Sequence, residues 1–160
     1  MFSQRHCISI AFATLLLVSS VFAGGSRATA LSRVQHGPIV SGDTSPISKA
    51  SGKPVVLYYW DITCIPCYVH LDAIIEFSRD VKRSGGRFFS IHHGTKQSAA
   101  TLQEFAKKQN IPYTIARGGS GPSSVRAVPR MFVFNSKGDL VYQGSIGKLA
   151  VEAYQAQVKQ

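Results

Sequence analysis

Two hydrophobic rhythms alternate along most of this chain. Pro54-Val55-Val56-Leu57-Tyr58-Tyr59-Trp60 is an unbroken β-branched and aromatic run, the pattern of a strand buried on both faces of a sheet. Past Asp61-Ile62-Thr63 the spacing changes. Leu71, Ile74, Ile75, Phe77 and Val81 recur every three or four residues, with Asp72, Glu76, Arg79, Asp80 and Arg83 on the other side. This predicts an amphipathic helix, closed by Gly85-Gly86. Residues 87–92 read as a second strand. Thr101-x-x-Glu104 predicts a capping box for a helix that carries Leu102, Phe105 and Ala106 and ends near Asn110. Strand, helix, strand, helix implies an α/β domain with a parallel sheet and right-handed crossovers. Residues 113–116 predict a third strand, and Gly118-Gly119-Ser120-Gly121 a flexible loop without the lysine of a phosphate loop. Residues 131–134 and 140–142, around the turn 135–139, predict a hairpin. A last helix spans about 148–159.

Upstream the pattern is different. Arg5 precedes an almost continuous apolar run over residues 8–22, ending in Val21-Phe22-Ala23. A run of about 15 residues falls short of the ~20 a membrane-spanning helix needs. Residues 1–23 therefore read as a signal peptide cleaved after Ala23, with an uncleaved N-terminal membrane anchor as the alternative. Residues 24–50 are Gly-, Ser-, Thr-, Pro- and Ala-rich and read as an N-terminal extension or linker. Residues 51–160 are left as one compact domain, and the expected location is outside the cytoplasm, in the bacterial periplasm.

Charge narrows the classes. The formal net charge is +10, from 18 Lys and Arg against 8 Asp and Glu, and becomes +9 once Arg5 leaves with the leader. Such a chain is drawn to anionic surfaces. The bases are nevertheless scattered singly, as Arg79, Lys82, Arg83, Arg87, Lys107, Lys108, Arg126 and Arg130, with no basic block or stacking array, so no nucleic-acid partner is expected. Arg130 reads as an outward-facing edge-strand residue, with contact to acidic substrates as the alternative.

Two of the three cysteines, Cys64 and Cys67, stand in Trp60-Asp61-Ile62-Thr63-Cys64-Ile65-Pro66-Cys67-Tyr68-Val69-His70; the third, Cys7, lies in the leader. Covalent haem requires histidine directly after the second cysteine, where Tyr68 stands. A metal clip could use Cys64, Cys67 and His70, but closure needs a fourth ligand from His36, His92 or His93. His92 and His93 are adjacent at a strand end and point to opposite faces. A purely structural disulfide over so short a loop would constrain the unfolded chain little. A redox pair uses the surroundings as well as the spacing. Between a buried strand and the first turn of a helix, unpaired N–H groups and the positive dipole end face the sulfur, which lowers a thiol pKa and favours the attacking thiolate. Cys64, at the open end, is the expected nucleophile, and Cys67, one turn further in, the resolving cysteine. No metal or other cofactor is expected.

The run 52–60, then Cys64-Ile65-Pro66-Cys67, then Ala127-Val128-Pro129 before the strand 131–134, resemble the thioredoxin superfamily. The closest similarity is to its exported thiol:disulfide interchange proteins of the TlpA and ResA type, over about residues 52–159. The resemblance implies a thioredoxin-like fold, a central mixed sheet flanked by helices on both faces, with the segment between Cys67 and Pro129 lengthened by the insertion typical of TlpA-like proteins. It implies that Cys64 and Cys67 form a redox-active disulfide and that Val128-Pro129 is a cis peptide holding substrate backbone beside it. Trp60 is then either a core aromatic beneath the site or a substrate-contacting surface. Two positions depart from the family pattern: Tyr58 stands where thioredoxin has a buried aspartate, and His70 where the ResA type often has glutamate. His70 reads either as a core histidine on the stripe of Ile74 and Phe77, or as the group that tunes the cysteine pKa.

Proline before the second cysteine resembles reductant-type members. The expected protein is a monomeric exported reductase, with disulfide-bearing exported proteins as substrates, apocytochrome c or another dithiol protein among them, and a membrane thiol carrier as electron donor. Two other readings stand beside it: a disulfide oxidase or isomerase, and a copper or zinc delivery protein using Cys64, Cys67 and a histidine.

Overall fold

The computed structural model describes residues 30–49, 52–94 and 96–159. The leader, residues 1–23, and its boundary with residues 24–50 lie outside the described residues. Among these described residues, eight strands and four α-helices follow one another: β1 (Gln35–His36), β2 (Ile39–Ser41), β3 (Val55–Trp60), α1 (Ile65–Val69), α2 (Leu71–Arg83), β4 (Arg87–His92), α3 (Ala99–Lys108), β5 (Thr114–Arg117), β6 (Gly119–Ser120), β7 (Arg130–Phe134), β8 (Leu140–Gly144) and α4 (Lys148–Val158). Six strands form one mixed sheet in the order β2-β5-β4-β3-β7-β8. The β3–β4 and β4–β5 pairs are parallel; β3–β7, β7–β8 and β2–β5 are antiparallel.

β3 is central, and all six of its residues are buried. The pleat sends successive side chains to opposite faces. Val56, Tyr58 and Trp60 therefore join one core cluster with Leu71, Ile74, Phe77 and Val81 of α2, Leu102 and Ala106 of α3, and Ala150 and Tyr154 of α4. Val55, Leu57 and Tyr59 join the other, with Phe89, Ile91, Phe132 and Phe134. The α-helices pack against the first face. The second is closed by two 3-10 turns, Leu31–Arg33 and Ile47–Lys49, through Leu31 and Ile47. The two-sided flanking expected from the resemblance thus takes unequal form.

That second layer comes from the segment read as a linker. From Ala30 onward it belongs to the domain: β2 is an edge strand of the sheet, and Leu31, Val34, Val40 and Ile47 are buried. Its few large apolar residues each reach the core, so its composition concealed its packing. The Gly118–Gly121 stretch is likewise not a free loop, because β6 pairs with β1 through Gln35↔Ser120 and His36↔Gly119.

Two helix boundaries also differ from the sequence reading. The apolar stripe predicts one helix from the cysteines to Arg83. Instead the backbone leaves helical values at His70 (φ −96°, ψ 6°), separating α1 from α2, although the Ile74 N–H still donates to the His70 carbonyl at 3.0 Å. α2 ends as predicted, with Gly85 at φ 81° where only glycine is unstrained, and with the Gly86 N–H donating to Val81. α3 starts one turn before the expected capping box. Ser98 is its N-cap, and its Oγ accepts the Thr101 N–H at 3.1 Å. Ser98→Ala is expected to cost about 1 kcal/mol of stability in chemical denaturation; an unchanged midpoint would show that the exposed Thr101 can replace it.

Candidate active site

β3 releases the chain at its C-terminal end, where parallel sheets open their crevices. The turn that follows accounts for every N–H it presents. The Cys64 N–H donates to the Asp61 carbonyl at 3.1 Å, closing the turn. The Thr63 N–H and Oγ1 both donate to Asp61 Oδ1, at 2.8 and 2.7 Å. The Ile62 N–H donates to His92 Nε2 at 3.2 Å, across from the end of β4.

Cys64 is the N-cap of α1, where its sulfur accepts the Cys67 N–H at 3.2 Å. It is disulfide-bonded to Cys67, with the Cα atoms 5.2 Å apart. The two sulfurs differ in access: Cys64 is partly exposed, whereas Cys67 is 3% exposed. A thiolate on Cys64 would keep the N–H of Cys67, a hydrogen bond that favours the charged form. The Val128 carbonyl oxygen lies 3.7 Å from the Cys64 sulfur, and the Val128–Pro129 peptide bond is cis. The chain between β6 and β7 thus brings Val128 to Cys64 from 64 residues away in sequence, with Pro129 beside it.

Trp60 belongs to the layer beneath. It is 3% exposed, packs on Phe105 and edge-on to His92, and donates from Nε1 to Ser90 Oγ at 3.2 Å. It is therefore core and not contact surface, because the last residue of a central strand is still covered by α3. Tyr58 lines a small space beside Cys67 with Trp60, Asp61 and Phe105. Burial pushes its hydroxyl well above the ordinary tyrosine range, so it remains protonated and does not replace the missing carboxylate. Asp61 borders the same space. Burial works to raise its carboxyl, but the Thr63 hydrogen bonds, with His92 and His93 nearby, outweigh this and hold it below the usual carboxylate range.

His70 does not take the core position that its spacing allowed. The kink at its own backbone turns it outward, and it is exposed. Arg130 opens β7, which runs between β3 and β8 and is not an edge strand. The metal-clip geometry does not form. Among the described residues no group of three His, Cys, Asp or Glu converges on one point. Both nitrogens of His92 are engaged, Nε2 by Ile62 and Nδ1 by the Gly94 carbonyl at 3.0 Å. His92 is buried and His93 exposed, as strand alternation requires.

Sequence reasoning missed two features of the site. One is His92, whose pairing with the turn depends on parallel alignment of β3 and β4. The other is a group of exposed apolar side chains on α1: Ile65, Tyr68 and Val69 are 76, 59 and 71% exposed. Their signal was present as apolar residues off the α2 stripe.

Solved structures of known proteins share this architecture. A thioredoxin-family thiol:disulfide interchange protein of Chlorobium tepidum superposes with a TM-score of 0.68 at 16% identity, covering 83% of this chain and 98% of that one. A thiol-disulfide isomerase of Corynebacterium glutamicum gives 0.67 at 15% identity, over 79% and 94%. A secreted disulfide oxidoreductase of Mycobacterium tuberculosis gives 0.59 at 16%, over 78% and 94%. At these identities the likeness establishes the fold, which is thioredoxin-like. No curated protein sequence matches the chain. The class this defines is a thioredoxin-like domain with a Cys64–Cys67 disulfide at the C-terminal end of its central strand. Residues 35–143 match the AhpC/TSA family, and the chain belongs to it.

Proposed function

We propose that this protein acts outside the cytoplasm as a reductase of disulfides in other exported proteins. The carrying observation is the asymmetry of the pair: a partly exposed Cys64 whose sulfur accepts the Cys67 N–H, and a buried Cys67 bonded to it. In the dithiol state the Cys64 thiolate attacks a substrate disulfide, forming a mixed disulfide and expelling one substrate thiolate. Cys67 then attacks Cys64, forming the Cys64–Cys67 bond and releasing the second substrate thiolate. Two electrons pass to the substrate, and the protein ends oxidised.

The exposed Ile65, Tyr68 and Val69 next to Cys64 give an apolar surface suited to a polypeptide substrate. Val128 and Pro129 form the opposite wall, where substrate backbone would lie. Apocytochrome c, or another exported dithiol protein, has the required chemistry. Export is supported by the apolar run at residues 8–22 and by the secreted mycobacterial relative. No described helix is long and apolar enough to cross a membrane. Outside the cytosol there is no glutathione pool, so electrons must come through the membrane from a thiol carrier. The Ile65-Pro66 dipeptide, similar to reductant-type members, favours this direction.

The test is the potential of the couple, followed by thiol trapping and by fluorescence of Trp60, which lines the space beside Cys67. The expected value is about −250 mV or lower. A value near about −120 mV would reverse the direction and make the protein a disulfide donor.

A further inference from the structure

His92 has no part in the thiol chemistry above, yet it is the most constrained titratable side chain near it. The ring is fully buried at the end of β4 and stands edge-on to Trp60, centroids 5.2 Å apart. Nδ1 lies 3.0 Å from the Gly94 carbonyl, an acceptor, so Nδ1 carries the proton and Nε2 is left as an acceptor. Nε2 uses that lone pair on the Ile62 N–H. The other two N–H groups of the turn bind within it, to Asp61. Among the described residues, His92 thus supplies the one hydrogen bond that ties the backbone of residues 61–64 to the neighbouring strand. Cys64 is the last residue of that turn.

We infer that His92 is a positioning residue for Cys64, and that its protonation releases the turn. A second proton on the ring converts Nε2 from acceptor to donor, facing the Ile62 N–H, and that hydrogen bond is lost. The new donor has a partner waiting, since Asp61 Oδ1 lies 3.8 Å away. That same oxygen caps Thr63. Protonation therefore exchanges Ile62–His92 for His92–Asp61 and draws on the acceptor that shapes the turn.

Every charged neighbour has a defined part. Asp61, at the end of β3, favours the proton; His93, beside it on the chain, and Arg117, its partner on β5, oppose it. Gln97 contributes a buried, unpartnered Oε1 close by. A Cβ on Gly94 would overlap Asp61 Oδ2, Gln97 Oε1 and His92 Cε1, so the cluster requires glycine there. Burial, the largest influence, moves the ring below its ordinary value of 6.5. His92 is accordingly neutral at neutral pH, and release occurs as pH falls below 6.5.

The kinetic consequence rests on Cys64 being the nucleophile; the structural one does not. The test follows the reduced full-length protein by NMR from pH 8 to 4, recording the His92 ring nitrogens and the Ile62 amide, together with the rate of Cys64 attack on a small aromatic disulfide. The expected result is an Nδ1–H tautomer at pH 8 and an Ile62 amide that shifts with the same midpoint as the ring. Below that midpoint the attack rate falls about threefold or more beyond the decline set by the thiolate fraction. His92→Phe, which has no acceptor, is expected to be about tenfold slower in attack at pH 8, as for a misplaced reacting group. His92→Gln, whose Oε1 accepts but does not titrate in this range, is expected to recover most of that rate and to lose the extra acid step. An Ile62 amide indifferent to the His92 titration would overturn the inference, as would a His92→Gln profile retaining the step. A wild type that never reduces the small disulfide while Ile62 and His92 still titrate together would instead overturn the proposed reductase function.

Discussion

Cys64→Ser is expected to lose disulfide reduction by on the order of 10³-fold or more, because a hydroxyl does not supply the thiolate that attacks sulfur. Cys67→Ser is expected to fail differently. It retains the attack and stops at the mixed disulfide, since the group that would displace substrate from Cys64 is gone. Non-reducing electrophoresis and intact mass should show the substrate adduct on Cys67→Ser and none on Cys64→Ser. The geometry sets this order: Cys64 is the partly exposed sulfur that accepts the Cys67 N–H, and Cys67 is covered. An adduct that forms on Cys64→Ser through Cys67 would reverse the assignment.

Phe132→Ala is expected to destabilise the protein by about 3–5 kcal/mol, the range for truncating a buried aromatic. Phe132 is fully buried in β7, opposite Leu57 of β3 and Gln143 of β8, with its ring edge-on to Tyr59 at 5.7 Å. Among the described residues, the face it lies on is closed by the two 3-10 turns and the loop carrying Val125 and Val128, with no long helix to settle into the cavity. Urea unfolding of the oxidised protein measures the loss as a lower midpoint with an unchanged slope. Val141→Ala, on the next strand and 41% exposed, should cost well under half as much and serves as the comparison. A Phe132→Ala loss below about 1 kcal/mol would mean that this layer collapses onto the cavity.

Much of the fold was legible because its central elements carry local signals. β3 is buried on both faces, so its sequence is one apolar run, and its bounds were predictable to within a residue. The α2 stripe fixed which side of that helix faces the sheet, and Gly85 marked its end. The hairpin was readable from its turn, where Asn135 Oδ1 accepts the N–H groups of Lys137 and Asp139. The C-x-x-C spacing, its place between strand and helix, and the downstream Val128-Pro129 were enough to locate the cysteine pair.

The sequence misreadings share a cause. The segment 24–50 read as a linker because its few large apolar residues are thinly spread among small and polar ones, and only the complementary face of the sheet makes Leu31 and Ile47 core. Gly119–Ser120 is a strand only because Gln35–His36 lies beside it. Trp60 was ambiguous until α3 was seen to cover it, and His70 shared a stripe from which a single backbone kink removed it.

By itself, then, the sequence determined the central strand, the amphipathic helix, the hairpin and the cysteine pair, since these depend on periodicities and spacings spanning a few residues. Only the tertiary structure decided what closes the second face of the sheet, and that His92, 30 residues downstream, accepts the N–H of Ile62. Those outcomes depend on strand register and on the meeting of distant segments, and hydrogen-bond partners so far apart leave no pattern in the local order of residues.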